Sequence, residues 1–240
     1  MTNNNRGFSL VELAIVIVIM GLIAAATVAG RSLIESAKMK SVISEIETYK
    51  IAVDNFKVQY EGLPGDLKNA TSFWTSGTAN GNGNGKIGTG AVDDDTEVYY
   101  AWDQLALARL VAGVYSGAGS AAVIGTNVPE SQYFEGTGFS ITYIAAPYSY
   151  ADALSRNFPA NYIVLGKNHA TDNYLSSAAV TPETAMLIDQ KVDDGTPDYG
   201  KTISGTGNGT SGACTSGSDP DIIYDLTNSG VACTMLFSME

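Results

Sequence analysis

The stretch from Phe8 to Tyr60 contains no proline, and its hydrophobic pattern changes halfway along. From Leu13 to Ala29 apolar side chains follow one another without a polar face, and Glu12 at the edge of the run is its only charge. A helix apolar on every side needs an apolar surrounding on every side. Further on, Met39, Val42, Ile46, Tyr49, Val53, Phe56 and Tyr60 recur in steps of three and four, which is one face of an amphipathic helix. Lys40, Ser41, Ser44, Glu45, Glu47, Lys50, Asp54 and Lys57 fill the other faces. A continuous helix of this span is roughly 80 Å long. Its first half suits lipid or a packed bundle, and its second half suits a head domain laid against one side. Gly21 and Gly30 are its weak points, because glycine in a helix interior costs about 1 kcal/mol.

Glu61-Gly62-Leu63-Pro64-Gly65-Asp66 stops the helix and turns the chain. Asp66 is placed to cap a short helix reaching Trp74, and Gly77 to Gly90 is dense in Gly, Asn, Thr and Ser, a turn-bearing loop. A helix is predicted from about Asp95 to Ala112, with Val98, Trp102, Leu105 and Ala108 on one face and Asp93, Asp94 and Asp95 near its positive end. Strands are predicted at Phe139 to Ile144 and Tyr162 to Leu165. Thr181-Pro182-Glu183 starts another helix, with a capping hydroxyl, proline in the first turn and an acid near the dipole; it runs to about Val192. Two further strands, near Ile222 to Asp225 and Ala232 to Phe237, complete an α+β head built on an antiparallel sheet.

Glu12 carries the first functional argument. An ionised side chain at the bilayer centre costs about 2.5–3.5 kcal/mol on insertion scales, so it is rarely left unpaired. A secretory signal peptide or a plain anchor is the competing reading. Against it, no small-x-small cleavage site closes the run, and a long helical pattern continues it. Gly7-Phe8-Ser9-Leu10-Val11-Glu12-Leu13 resembles the processing site of type IV prepilins and of type II secretion pseudopilins. The resemblance implies that a membrane prepilin peptidase cuts after Gly7 and methylates the new amino terminus at Phe8. It makes residues 1–7 a leader, 8–30 a transmembrane and filament-core helix, 31–62 its amphipathic continuation and 63–240 the head. Arg6 beside the cut agrees with a cytoplasmic leader. The family's acid, fifth after the cut, falls on Glu12, and in a staggered bundle it can meet the Phe8 ammonium of a neighbouring subunit. Many relatives carry a helix-breaking proline near Ala29, where this chain has Ala29-Gly30.

A formal charge of −12 argues against nucleic acid as an electrostatic partner. The two cysteines, Cys214 and Cys233, read as a disulfide in an exported chain and resemble the C-terminal bonded loop of many pilins; unpaired thiols or a metal pair are the alternatives. Asn80, Asn82 and Asn84 alternate with glycines in an echo of a calcium loop, with Asp93, Asp94, Asp95 or Glu97 as candidate acids to complete it and calcium as the candidate cofactor. A second acidic turn, Asp189 to Gly195, has Lys191 where a further ligand would help. His169 sits among Lys167, Asn168, Asp172 and Asn173 as a polar turn, and no nucleophile motif, phosphate loop or Cys-x-x-Cys-His occurs, so no catalytic residue is assigned.

The chain is therefore expected to be a non-enzymatic filament subunit with a pilin fold, anchored in the inner membrane and then moved to an extracellular pilus. Its expected partners are copies of itself, the prepilin peptidase and an inner-membrane assembly platform. A periplasmic pseudopilus and a membrane-anchored binding or adhesion domain that never polymerises are the alternatives.

Overall fold

The computed structural model describes residues 9–88, 96–145, 159–210, 212–218 and 221–239. One helix, α1 (Leu10–Tyr60), spans both halves of the pattern. Its predicted stripe faces the head: Met39, Val42, Ile46, Val53 and Phe56 are buried, with Tyr49 and Tyr60 half-buried at the margins. The helix ends on Glu61, which takes the left-handed conformation at φ 56° and donates its amide N–H to the Lys57 carbonyl. The stop lies on the glutamate, one residue ahead of the glycine that the sequence offers for it.

The head is assembled on that stripe from α2 (Ala70–Phe73), α3 (Glu97–Leu107), α4 (Pro182–Val192) and six strands. The main sheet is antiparallel in the order β1 (Gly138–Ile144), β2 (Ala160–Gly166), β6 (Cys233–Ser238), β3 (Thr202–Thr206). In register, Ile141 faces Ile163, Val164 faces Leu236, and Leu236 in turn faces Ile203. A short pair, β4 (Thr215–Ser216) and β5 (Ile223–Tyr224), stands beside it. Every residue of β2 is buried, so its Tyr162–Leu165 stretch reads as a continuous buried run and not as an alternating one, with Asn161 the one polar side chain enclosed. Tyr49 carries the helix into the core, its ring meeting Trp102 of α3 edge-on at 4.9 Å and Phe139 of β1 at 5.2 Å.

The predicted fold class holds, and several boundaries move. Asp66 does not cap the short helix, which starts after Asn69; its carboxylate turns to the loop amides described below. The third helix stops at Leu107, well before Ala112, because Arg109 adopts φ 60° and cannot continue a right-handed helix. Cys214 and Cys233 are bonded, tying the β4 segment to the start of β6. Closing a loop of this length is worth about 3 kcal/mol in the chain-entropy view.

The core contains acid as well as hydrocarbon. Asp103 on α3 is 6% exposed, and its Oδ2 is buried without a hydrogen-bond partner. Burial pushes its carboxyl up to about 6, against a hydrogen bond from Thr78. The unfolded value lies near 4, so the folded state holds the proton more tightly. The contribution of this group to stability is then greatest below about pH 4 and falls as pH rises to about 6. Asp103→Asn removes this titration. The variant is expected to gain about 2 kcal/mol over the native chain at pH 7.5 and far less at pH 4. Denaturant melts of the detergent-solubilised protein at both pH values check this, and an equal difference at the two would count against it. Glu61→Gly, which relieves a left-handed L-residue, should raise stability by about 0.5–1 kcal/mol in the same assay.

Candidate functional site

The N-terminal span has no cover from its own head. From Ser9 to Thr27 every side chain is exposed, including Leu10, Val11, Ile15, Ile17, Met20 and Ile23. Leu10–Thr27 has a mean hydropathy of 2.6, long and apolar enough to cross a membrane. The one hydroxyl deep in this span folds back: Thr27 Oγ1 donates to the carbonyls of Ile23 and Ala24 at 3.0 and 2.8 Å, so it presents no unsatisfied donor to an apolar surrounding. Ala24, Ala25 and Ala26 give the same stretch a turn of small side chains that lets another helix approach closely.

Glu12 has a local role that the apolar pattern alone does not reveal. Ser9 is the N-cap of α1, its Oγ accepting from the Val11 amide at 3.3 Å. Glu12 reaches back to accept from the Ser9 amide at 2.8 Å, completing a capping box. The acid therefore lies at the positive end of the helix dipole, where a carboxylate is favoured. The motif Ser-x-x-Glu was present in the sequence as a capping signal, hidden behind the stronger argument from charge. Gly7 and Phe8, the residues flanking the expected cut, lie outside the described residues.

In the head, the asparagine loop is held by acids from elsewhere. Asp66 accepts from the amides of Asn84 and Gly85 at 3.0 and 2.7 Å, and Glu97 accepts from Asn82 and Gly88 at 2.8 and 3.2 Å. Burial raises the Asp66 carboxyl, with those amide hydrogen bonds working the other way. Asn161 of β2 closes the loop from the third side, accepting from the Ile87 amide and donating to the Gly85 carbonyl. The asparagine side chains are engaged locally: Asn80 Oδ1 accepts from Thr71, Asn82 Oδ1 from the Asn84 amide, and Asn84 Oδ1 from the Lys86 amide. Asp93 and Asp94 lie outside the described residues, so the set named for calcium is not seen together. Glu97, one of the acids offered for this loop in the sequence, does fold back onto it, but as an acceptor of its amides, whereas Asp66 and Asn161 were missed because neither is adjacent to it in the chain.

His169 pairs with Asp172 at 3.2 Å. Asp172 also accepts from Ser176 Oγ and, at 2.8 Å, from Asn208 Nδ2. Burial alone would raise this carboxyl, but these hydrogen bonds and His169 bring it below its ordinary value. The serine thus donates to the acid and not to the imidazole, and the cluster ties the turn at 169–176 to Asn208. The second acidic turn is brought together: carboxylate oxygens of Asp189, Asp193 and Asp194 lie within 4.8 Å of one another. Burial pushes the Asp189 carboxyl up to about 7, against a hydrogen bond from Tyr224.

Residues 2–28 match the prokaryotic N-terminal methylation motif, the motif of the prepilin and pseudopilin family. No curated protein and no solved structure matches the chain. The motif supports a type IV pilin-like or pseudopilin-like protein. It implies processing by prepilin peptidase and assembly into a filament in general terms. With the exposed apolar helix, it points to membrane anchoring before assembly.

Proposed function

We propose that this chain is a structural, non-enzymatic subunit of a type IV pilus-like extracellular filament, cut after Gly7, methylated at Phe8 and assembled through α1. The observation that carries this reading is the Leu10–Thr27 span, exposed throughout and bearing one carboxylate at its head. In the membrane, lipid covers that surface and the capping box satisfies part of Glu12. After extraction, only the helices of other subunits can cover it. Lipid tails are as apolar as the helix, so association before extraction depends on close packing at Ala24, Ala25 and Ala26 and on pairing of charges. Cleavage supplies the second charge, because the new Phe8 ammonium of one subunit can replace the Ser9 amide as the partner of another subunit's Glu12. That exchange sets the stagger between neighbours. Once formed, the pair is hard to break from one side, because removing one member strands the other at about 3–5 kcal/mol.

The disulfide and the large, acidic head fit life outside the cell, with the head facing outward. Glu12→Ala is expected to leave cleavage at Gly7 intact and to lower the yield of sheared filaments by about a hundredfold or more, the scale set by one stranded charge. The check is the amino-terminal mass of the membrane-bound chain together with the protein recovered by shearing. Normal filament yield from the variant would sink the pairing. Processed native chain found only in membranes would favour a periplasmic secretion pseudopilus, and an uncut chain starting at Met1 would overturn the prepilin reading.

A further inference from the structure

The C-terminal end of α4 gathers negative charge where a helix least favours it. A helix carries partial negative charge at its C-terminus, which stabilises cations there and disfavours acids. Yet Asp189 lies in the last turn of α4, Asp193 is its C-cap and Asp194 follows. Oxygens of all three lie within 4.8 Å of one another. Oxygens bound to one calcium ion at about 2.4 Å can be separated by no more than about twice that distance, so the cluster fits a single coordination sphere.

The protein's own groups leave oxygens unused. Asp189 is fully buried, and its Oδ2 accepts from the Tyr224 hydroxyl at 2.8 Å. Its Oδ1 is buried and makes no well-formed hydrogen bond, although the Gly195 amide is close enough to stabilise the carboxylate, and that is the oxygen Asp189 has left to give. Asp193 Oδ2 accepts from the amides of Lys201 and Thr202, and Asp194 Oδ1 accepts from the Thr196 amide at 2.8 Å and its hydroxyl at 2.5 Å. These bonds fall on one oxygen of each carboxylate and fix its orientation. Lys50 of α1 lies close enough to Asp193 to be attracted by it and offsets part of the charge. Lys201 lies near enough to repel Lys50 and adds a second cation to this region, so the acids are offset in part.

We propose that Asp189, Asp193 and Asp194 form a binding site for a hard divalent cation, with calcium as the occupant their geometry suits best. Carboxylate oxygens select hard ions. Magnesium demands a near-ideal octahedron of shorter bonds, whereas calcium accepts the irregular set that a helix end and a turn supply, with water on the open side formed by exposed Asp193 and Asp194. The ion locks the end of α4 to the sheet, because Tyr224 bridges Asp189 to Ser204 of β3 through hydrogen bonds of 2.8 and 2.9 Å. The site is separate from the asparagine loop and does not depend on the filament reading.

The test uses the full chain purified in detergent and stripped with chelator. At calcium about a hundredfold above Kd, Tm is expected to rise by about 5 °C or more, with a smaller rise in equal magnesium. Terbium should show tyrosine-sensitised emission that calcium displaces, since Tyr224 donates to a ligand. The double variant Asp193→Asn, Asp194→Asn keeps an acceptor at each position, so the ion-free chain should melt near or above the native value while losing both the calcium shift and the terbium signal. Asn84→Ala should keep both. No shift and no emission in the native chain would overturn the proposal. So would a calcium shift that survives the double variant, or one that Asn84→Ala abolishes.

Discussion

The organising constraint on this molecule is an apolar helical surface that its own chain does not cover. Folding normally hides hydrocarbon within one subunit. In α1 only half of the helix is hidden in this way. The part from Met39 onward is buried under the head along one face, and the Leu10–Thr27 part is exposed on every side. That surface requires lipid or the helices of other copies. Glu12 fits this division because it sits at the positive pole of the helix, already bonded to the Ser9 amide, and so enters an apolar medium with part of its solvation replaced.

The head meets a different problem. Its segment from Gly77 to Gly88 has little hydrocarbon with which to fix a conformation. Buried polar side chains fix it instead. Asp66 and Glu97 each receive two loop amides, Asn161 receives one and gives one, and Gln104 accepts from the Gly65 amide while donating to the Ala79 carbonyl. A buried carboxylate is tolerable when backbone N–H groups surround it. The loop's order is therefore tied to acids on other elements, and those acids are acceptable inside the head because the loop is there to satisfy them.

This division explains what could be read from the sequence. The helix, its stripe and the start of α4 were legible because period, capping residues and proline position act locally. The strands around Ile141, Ile163 and Leu236 were legible from β-branched and aromatic runs. Strand β3 was not, since Thr202-Ile203-Ser204-Gly205-Thr206 has a single large apolar residue and becomes a strand by pairing with β6. Asp66 looked like a helix cap because its actual partners lie eighteen and nineteen residues away. The methylation motif was readable as a short local pattern, and the meeting of Asp189 with Asp193 and Asp194 required knowing how α4 ends.

The position of β6 has a consequence for timing. It is the last strand in chain order, yet it lies inside the sheet, with β2 on one edge and β3 on the other. Without it, β3 has no neighbour in the main sheet, β2 keeps an open edge, and Cys214 lacks Cys233. A head that becomes available in chain order therefore cannot seal itself piecemeal. The sheet stays open until its final segment is in place, and the bond that staples the tail forms only then. A chain clipped before β6 would leave an unpaired strand edge open to pairing with other chains, so completeness of the tail decides whether the whole sheet is closed.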